Sequence, residues 1–224
     1  MNTLKIIFIL FSWNAFSQIA YISSNVYKEV PFSDQYISSG ALIKSINYRS
    51  VNDLKLHLER IYQLKLQDRN EAHITVVTPP EYQGNASMKM PDGLKYVFPN
   101  VFDILSYYDG KKGKTGREDL FKLQKLPFRI RCLGRNVEKD KDGKVVNQAF
   151  FLVISAPQLF AVRRDLQRRA AYRADQFSRS YQFNYLAYDP HITIGFTKKD
   201  IHTQSKGLDS CIENFDLRLQ KSLL

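Results

Sequence analysis

Tyr188-Asp189-Pro190-His191-Ile192-Thr193-Ile194-Gly195-Phe196 reads as a β-strand entered through a proline. Apolar Ile192, Ile194 and Phe196 alternate with His191, Thr193 and Gly195. A strand has a side-chain period of two, so His191 and Thr193 point to one side, about 6–7 Å apart along the chain. An imidazole and a hydroxyl side by side can grip and protonate the same small anion. A second copy, Glu71-Ala72-His73-Ile74-Thr75-Val76-Val77, repeats His-Ile-Thr inside a β-branched run. The rest of the chain is arranged around these two strands.

Outward from the second copy, Pro157 opens a helix running to about Phe177, with Leu159, Val162, Leu166, Ala170, Ala174 and Phe177 as its buried stripe. Its other positions carry Arg163, Arg164, Arg168, Arg169 and Arg173, a basic face suited to phosphate. Before it, Phe128–Val137 and Val145–Ser155 form a β-hairpin around Lys141-Asp142-Gly143, and Phe150–Ile154, apolar on both faces, suits a central strand. After the motif, Leu208–Leu219 is expected to close the chain as a helix. The first copy has a matching frame. Tyr36–Asn47 reads as a strand, and a helix capped at Ser50 follows with Leu54, Leu58, Ile61 and Leu64 as its stripe. His57 borders that stripe and is assigned no chemistry.

Residues 81–126 are broken by Gly84, Pro91-Asp92-Gly93 and Pro99, with a short helix expected near Val101–Tyr108. Gly113-Lys114-Thr115 hints at a phosphate loop, but the first glycine of that motif would fall on Tyr108, so a basic turn is the better reading. The 224-residue chain carries a net charge of +11, which favours polyanionic partners. Met1–Ser17 has the form of a secretory leader, with Lys5, apolar Ile6–Trp13 and small Ala15 and Ser17; the run is too short to span a bilayer. The competing reading is an amino-terminal core element. Export would make the chain secreted or periplasmic and bring Asn85-Ala86-Ser87 into play as a glycosylation sequon. Residues 18–36 then form an amino-terminal arm and 37–224 the folded domain. Cys132 and Cys211 are expected as small buried residues, on a strand and on the terminal helix, although export would let them pair. No Cys-x-x-Cys or His-Glu-x-x-His spacing occurs, so neither metal nor other cofactor is expected.

The order is strand, helix, His-x-Thr strand, then hairpin, helix, His-x-Thr strand. On His73-Ile74-Thr75-Val76 and Pro190-His191-Ile192-Thr193-Ile194-Gly195, over about residues 37–215, the chain resembles the 2H phosphoesterase superfamily, which includes RNA 2′,5′-ligase-like proteins and cyclic nucleotide phosphodiesterases. The long stretch from 79 to 126 departs from the family's spacing and points to a less common branch, of the kind linked with RNA repair. The resemblance implies an α+β, bilobed, pseudo-two-fold fold, antiparallel sheets lining a central cleft with helices outside. It implies metal-independent chemistry by His73, Thr75, His191 and Thr193. Two histidines can supply base and acid to opposite sides of a phosphodiester, and the threonines can hold its non-bridging oxygens. Arg164, Arg168 and Tyr188 are the candidate substrate-binding residues, and RNA or a nucleotide the candidate partner of a monomer.

Four functions fit these residues: hydrolysis of 2′,5′ or 2′,3′-cyclic phosphodiester linkages; ATP-independent end joining, its reverse; RNA binding without chemistry; and an exported protein for acidic surfaces with structural histidines. A metal-free assay on 2′,3′-cyclic nucleotides separates the first two from the last two.

Overall fold

The structure, a computed structural model, describes residues 18–23, 42–78, 123, 125–176, 184–212 and 215–220. The expected leader, the expected arm beyond residue 23, the sequon, the expected helix near Val101–Tyr108 and the expected turn at Gly113-Lys114-Thr115 lie outside the described residues. Among the described residues, seven strands and two long α-helices follow in the order β1 (Gln18–Ser23), β2 (Leu42–Ile46), α1 (Tyr48–Tyr62), β3 (Ala72–Val77), β4 (Arg129–Lys139), β5 (Val145–Ser155), α2 (Pro157–Gln176), β6 (His191–Phe196) and β7 (Phe215–Gln220). β2 to β6 form one antiparallel sheet in the order β2-β3-β6-β5-β4, and β1 pairs in parallel with β7. This is a mixed α/β fold in which both His-x-Thr strands occupy neighbouring places in a single sheet.

Burial explains which side of the sheet each residue takes. Ile74, Val76, Ile192 and Ile194 are fully buried in one cluster with Leu54 and Leu58 of α1, Leu159 and Leu166 of α2, and Phe150, Leu152 and Ile154 of β5. Both helices therefore cover the isoleucine face. The alternate residues His73, Thr75, His191 and Thr193 take the other face and stay half-buried.

Several local expectations need correction. Asn47, not Ser50, caps α1: its side chain accepts from Arg49 N, while Ser50 is buried inside the first turn. Asparagine and serine cap about equally well, so packing of Ser50 decides. The closing helix expected over Leu208–Leu219 is instead a short 3-10 turn, Leu208–Ser210, followed by β7. Leu208, Ile212, Phe215 and Leu219 recur at helical spacing, but Phe215, Leu217 and Leu219 also alternate as in a strand. Pairing with β1, which forms from the first residues of the expected irregular arm, settles the ambiguity. His57 meets Phe215 edge-on at 6.5 Å between ring centres, a packing role.

Arg163 is the largest correction. It lies in line with Leu159 and Leu166 on α2 and is fully buried, not part of a solvated basic face. Its Nη1 donates to Val76 O (2.6 Å), its Nε to Tyr185 O (3.2 Å) and its Nη2 to Asn184 O (3.0 Å). The guanidinium also lies over the Tyr188 ring, 4.3 Å from its centre. One side chain thus ties α2 to the end of β3 and to the segment leading into β6. Arg163→Leu keeps the apolar volume but leaves those carbonyls without their donor. It is expected to lower stability by about 2–4 kcal/mol in a denaturant melt. A loss below 0.5 kcal/mol would show that the carbonyls find water instead.

Candidate active site

β3 and β6 run antiparallel with Ile74 directly opposite Ile192. It follows that His73 lies opposite Thr193 and Thr75 opposite His191, the two motifs related by a local two-fold through the isoleucine pair. Each histidine faces the other strand's threonine, and the two histidines stand diagonally, about 7–8 Å apart by ordinary sheet spacing. The pairings of β2, β5 and β4 extend these into two rows across the sheet. One is Ser45, His73, Thr193, Phe151 and Gly134; the other is Ile43, Thr75, His191, Val153 and Cys132. At the end of the first row Gly134 has no side chain because the Phe151 ring occupies that space; an added Cβ would stand 2.3 Å from the ring. Phe151 in turn meets the His191 ring edge-on at 5.8 Å. The register shifts between Phe150 and Phe151, so Ile194 and Gly195 both turn to the buried side. A Cβ added at Gly195 would stand 3.0 Å from Gln67 O, which explains the small residue after the motif.

The residues after β6 complete the site. Segment 197–212 crosses from the end of β6 to β4 and is pegged by two buried asparagines. Asn147 Oδ1 accepts from Thr197 Oγ1 (3.1 Å) and Lys198 N (3.1 Å), its Nδ2 donates to Lys199 O (3.0 Å), and Asn136 Nδ2 donates to Ser205 O (3.0 Å). Cys132 and Cys211 form a disulfide with Cα atoms 5.7 Å apart, and Ile212 N donates to Leu133 O (2.8 Å). The expectation of two unpaired buried cysteines is thereby corrected: the extended chain past the 3-10 turn brings Cys211 to the strand bearing Cys132. The segment carries Asp200 and Lys206 onto the motif face. Lys206 Nζ donates to Asp200 Oδ1 (2.7 Å), stands 3.3 Å from His191 Nε2 and lies 5.4 Å over the Phe151 ring. Asp200 Oδ2 stands 3.5 Å from Thr193 Oγ1 and 3.7 Å from His202 Nε2.

Electrostatics separate the two histidines. Burial and then the Lys206 ammonium push the His191 imidazole down to about 4, and its Nδ1 lies 2.7 Å from Asp189 O. His73 is also lowered by burial, but Glu71, with Oε1 3.5 Å from Nδ1, pulls the other way. Burial alone would raise the Asp200 carboxyl, yet Lys206 and the neighbouring imidazoles hold it below the usual range. Among the described residues, no group of three or more His, Cys, Asp or Glu side chains is placed to hold a metal ion.

Of the expected site residues, the structure brings together His73, Thr75, His191 and Thr193. It does not bring Arg164, Arg168 or Tyr188 to them. Arg164 and Arg168 are exposed on α2, beyond the covered face of the sheet, and Arg168 pairs with Asp165 at 2.8 Å. Tyr188 packs against Arg163 and, edge-on at 5.2 Å, against Phe160. Asp200 and Lys206 escape a reading by motif, since their only signal is a charged stretch directly after the motif strand.

The Swiss Army Knife 2H phosphoesterase domain model matches residues 45–202. No curated protein and no solved structure matches the chain.

The lowered imidazoles give stability a pH dependence with a definite sign. Below the unfolded value near 6.5 the unfolded chain takes up protons that native His191 refuses until about pH 4, so stability falls as pH drops through that window. The slope is at most about 1.4 kcal/mol per pH unit for one proton. Melts between pH 4 and 7.5 are expected to show it, and His191→Gln to flatten it; equal slopes in both proteins would contradict a neutral buried His191.

Proposed function

Because the chain belongs to the 2H phosphoesterase family, whose domain supports phosphodiesterase-type activity in general, we propose that it acts on 2′,5′ or 2′,3′-cyclic phosphodiester linkages of RNA or nucleotides. The observation that carries this reading is the diagonal of two imidazoles and two threonine hydroxyls on one face of the sheet, around Ile74 and Ile192. A phosphate lying over that diagonal meets one imidazole on the side of the attacking oxygen and the other on the side of the leaving oxygen. Each proton transfer contributes about 10²–10⁴-fold. Thr75 and Thr193 are placed to bind the non-bridging oxygens and hold phosphorus in line. Both proton transfers are supplied by side chains, so no cofactor enters the scheme. In this reading β2-α1-β3 and β5-α2-β6 are the two lobes, each a strand, helix and motif strand. The leader directs the monomer out of the cytoplasm, in keeping with a disulfide.

The charge of +11 supports a polyanionic substrate. Because Arg164 and Arg168 stand away from the motif face, their part in this proposal is long-range steering. Such attraction decays over about 8–10 Å at ordinary salt.

With a 2′,3′-cyclic nucleotide and no added metal, His73→Ala and His191→Ala are each expected to lower kcat by about 10²-fold or more. Thr75→Ala and Thr193→Ala should lose about 10–10²-fold. Wild-type turnover by either folded histidine variant would sink the two-histidine mechanism. For the surface, Arg164→Glu with Arg168→Glu is expected to flatten the salt dependence of binding to an RNA oligonucleotide while hydrolysis of a cyclic mononucleotide stays within a few-fold. An unchanged salt slope would restrict the substrate to small nucleotides.

A further inference from the structure

The two motifs are alike in backbone and unlike in charge. His191 has a cation at its working nitrogen, and His73 has a carboxylate at its inner one. We propose that Lys206 is a positioning residue of this site: braced by Asp200 and aimed at His191 Nε2, its ammonium fixes His191 as the base and leaves His73, beside Glu71, as the acid. The proposal rests on the phosphodiesterase reading above. Lys206 itself lies beyond the stretch 45–202 matched by the family model.

The hydrogen bonds give the direction. Asp189 O can only accept, so the His191 nitrogen 2.7 Å from it, Nδ1, carries the hydrogen. The lone pair of neutral His191 then sits on Nε2, where Lys206 Nζ, a donor without acceptor capacity, meets it at 3.3 Å. That contact is long for a hydrogen bond, so an incoming water can take its place at Nε2. The ammonium cannot swing away freely. Lys206 is 4 % exposed, its head donates to Asp200 Oδ1, and its backbone N donates to Asp189 Oδ2 at 3.1 Å. Asp189 thus orients His191 through its carbonyl and holds Lys206 through its carboxylate.

The two imidazoles face each other; the other charged groups facing His191 are Lys206 and Asp200, and those facing His73 are Glu71, Arg69 and Asp200. Asp200 is common to both, so Lys206 and Glu71 make the difference, with Arg69 opposing Glu71. In the step this assigns, a water oxygen bonds to phosphorus as its proton passes to His191 Nε2. The bond from phosphorus to the ribose oxygen breaks as that oxygen takes the proton of His73. The imidazoles end with exchanged protonation, and solvent resets them; the cation beside His191 favours release of its proton.

A purely structural role, in which Lys206 and Asp200 only pin segment 197–212, predicts a different outcome. The test follows the imidazole nitrogen resonances of His191, assigned by their loss in His191→Gln, through a pH titration of the full chain. In the wild type His191 is expected as the neutral Nδ1–H form across neutral pH. Lys206→Met is expected to raise its midpoint by about one pH unit, and Lys206→Arg to keep it near the wild-type value. Asp200→Asn, which removes the anion and keeps the cation, should move it the other way and serves if Lys206→Met fails to fold. Titrations of Lys206→Met and Asp200→Asn that both match the wild type would overturn the proposal. On a 2′,3′-cyclic nucleotide, the acid limb of the kcat/KM profile should follow the His191 midpoint in Lys206→Met; movement of the basic limb instead would make His191 the acid and overturn the assignment. A wild type without hydrolysis but with the expected titration shifts would count against the phosphodiester reading and leave the Lys206–His191 coupling standing.

Discussion

Ile74 and Ile192 meet across two strands that are joined by no turn, and the side of the sheet they face is already decided by water. Burying Ile74, Val76, Ile192 and Ile194 contributes on the order of 6–12 kcal/mol, comparable to the whole net stability of a domain. A one-residue slip of either strand would turn its isoleucines outward and drive a histidine and a threonine into the core beneath α1 and α2. The position of each imidazole relative to the other is therefore held by apolar packing on the face it does not occupy. Chemistry on one side of the sheet is aligned by oil on the other.

Asymmetry enters through a segment with no regular structure. Asn136 and Asn147 are buried polar groups, and each is satisfied by main-chain atoms of residues 197–205. Removing a partner would leave buried amide groups unpaired, so the path of this segment is as strongly determined as that of a strand. Asp200 and Lys206 reach the motif face by that path. A symmetric backbone thus receives its polarity from an asymmetric covering.

Much of this was legible in the residues, for physical reasons that differ between elements. The motif strands announce themselves by a period of two and by the repeated His-Ile-Thr. The hairpin does so by its Gly143 turn, where φ is +78°, and α2 by Pro157 at its first position. Pairing of β3 with β6 was not legible, because it joins distant segments and depends on the joint burial of both. Arg163 was read as surface since arginine is seldom fully buried; four backbone carbonyls in reach of one guanidinium are a property of the folded chain alone. The β7 strand was lost to a helix reading because its apolar residues satisfy both periods and only β1 discriminates. Asp200 and Lys206 belong to no periodic element, so no pattern could have placed them.

The disulfide also divides the chain in a way that the sheet does not. Cys132 and Cys211, 79 residues apart, close a covalent ring that contains β5, α2, β6 and the segment bearing Lys206. His191 is inside that ring, whereas β2, α1 and β3, with His73, are outside it. In the unfolded ensemble the ring forbids many of the open conformations available to a linear chain, worth about 3–5 kcal/mol in the chain-entropy account. That benefit goes to one half of the active-site pair. Assembly of the pair is then the docking of a free tail onto a pre-closed loop, and the seam between β3 and β6 is the place where this topology concentrates the cost of long-range contact.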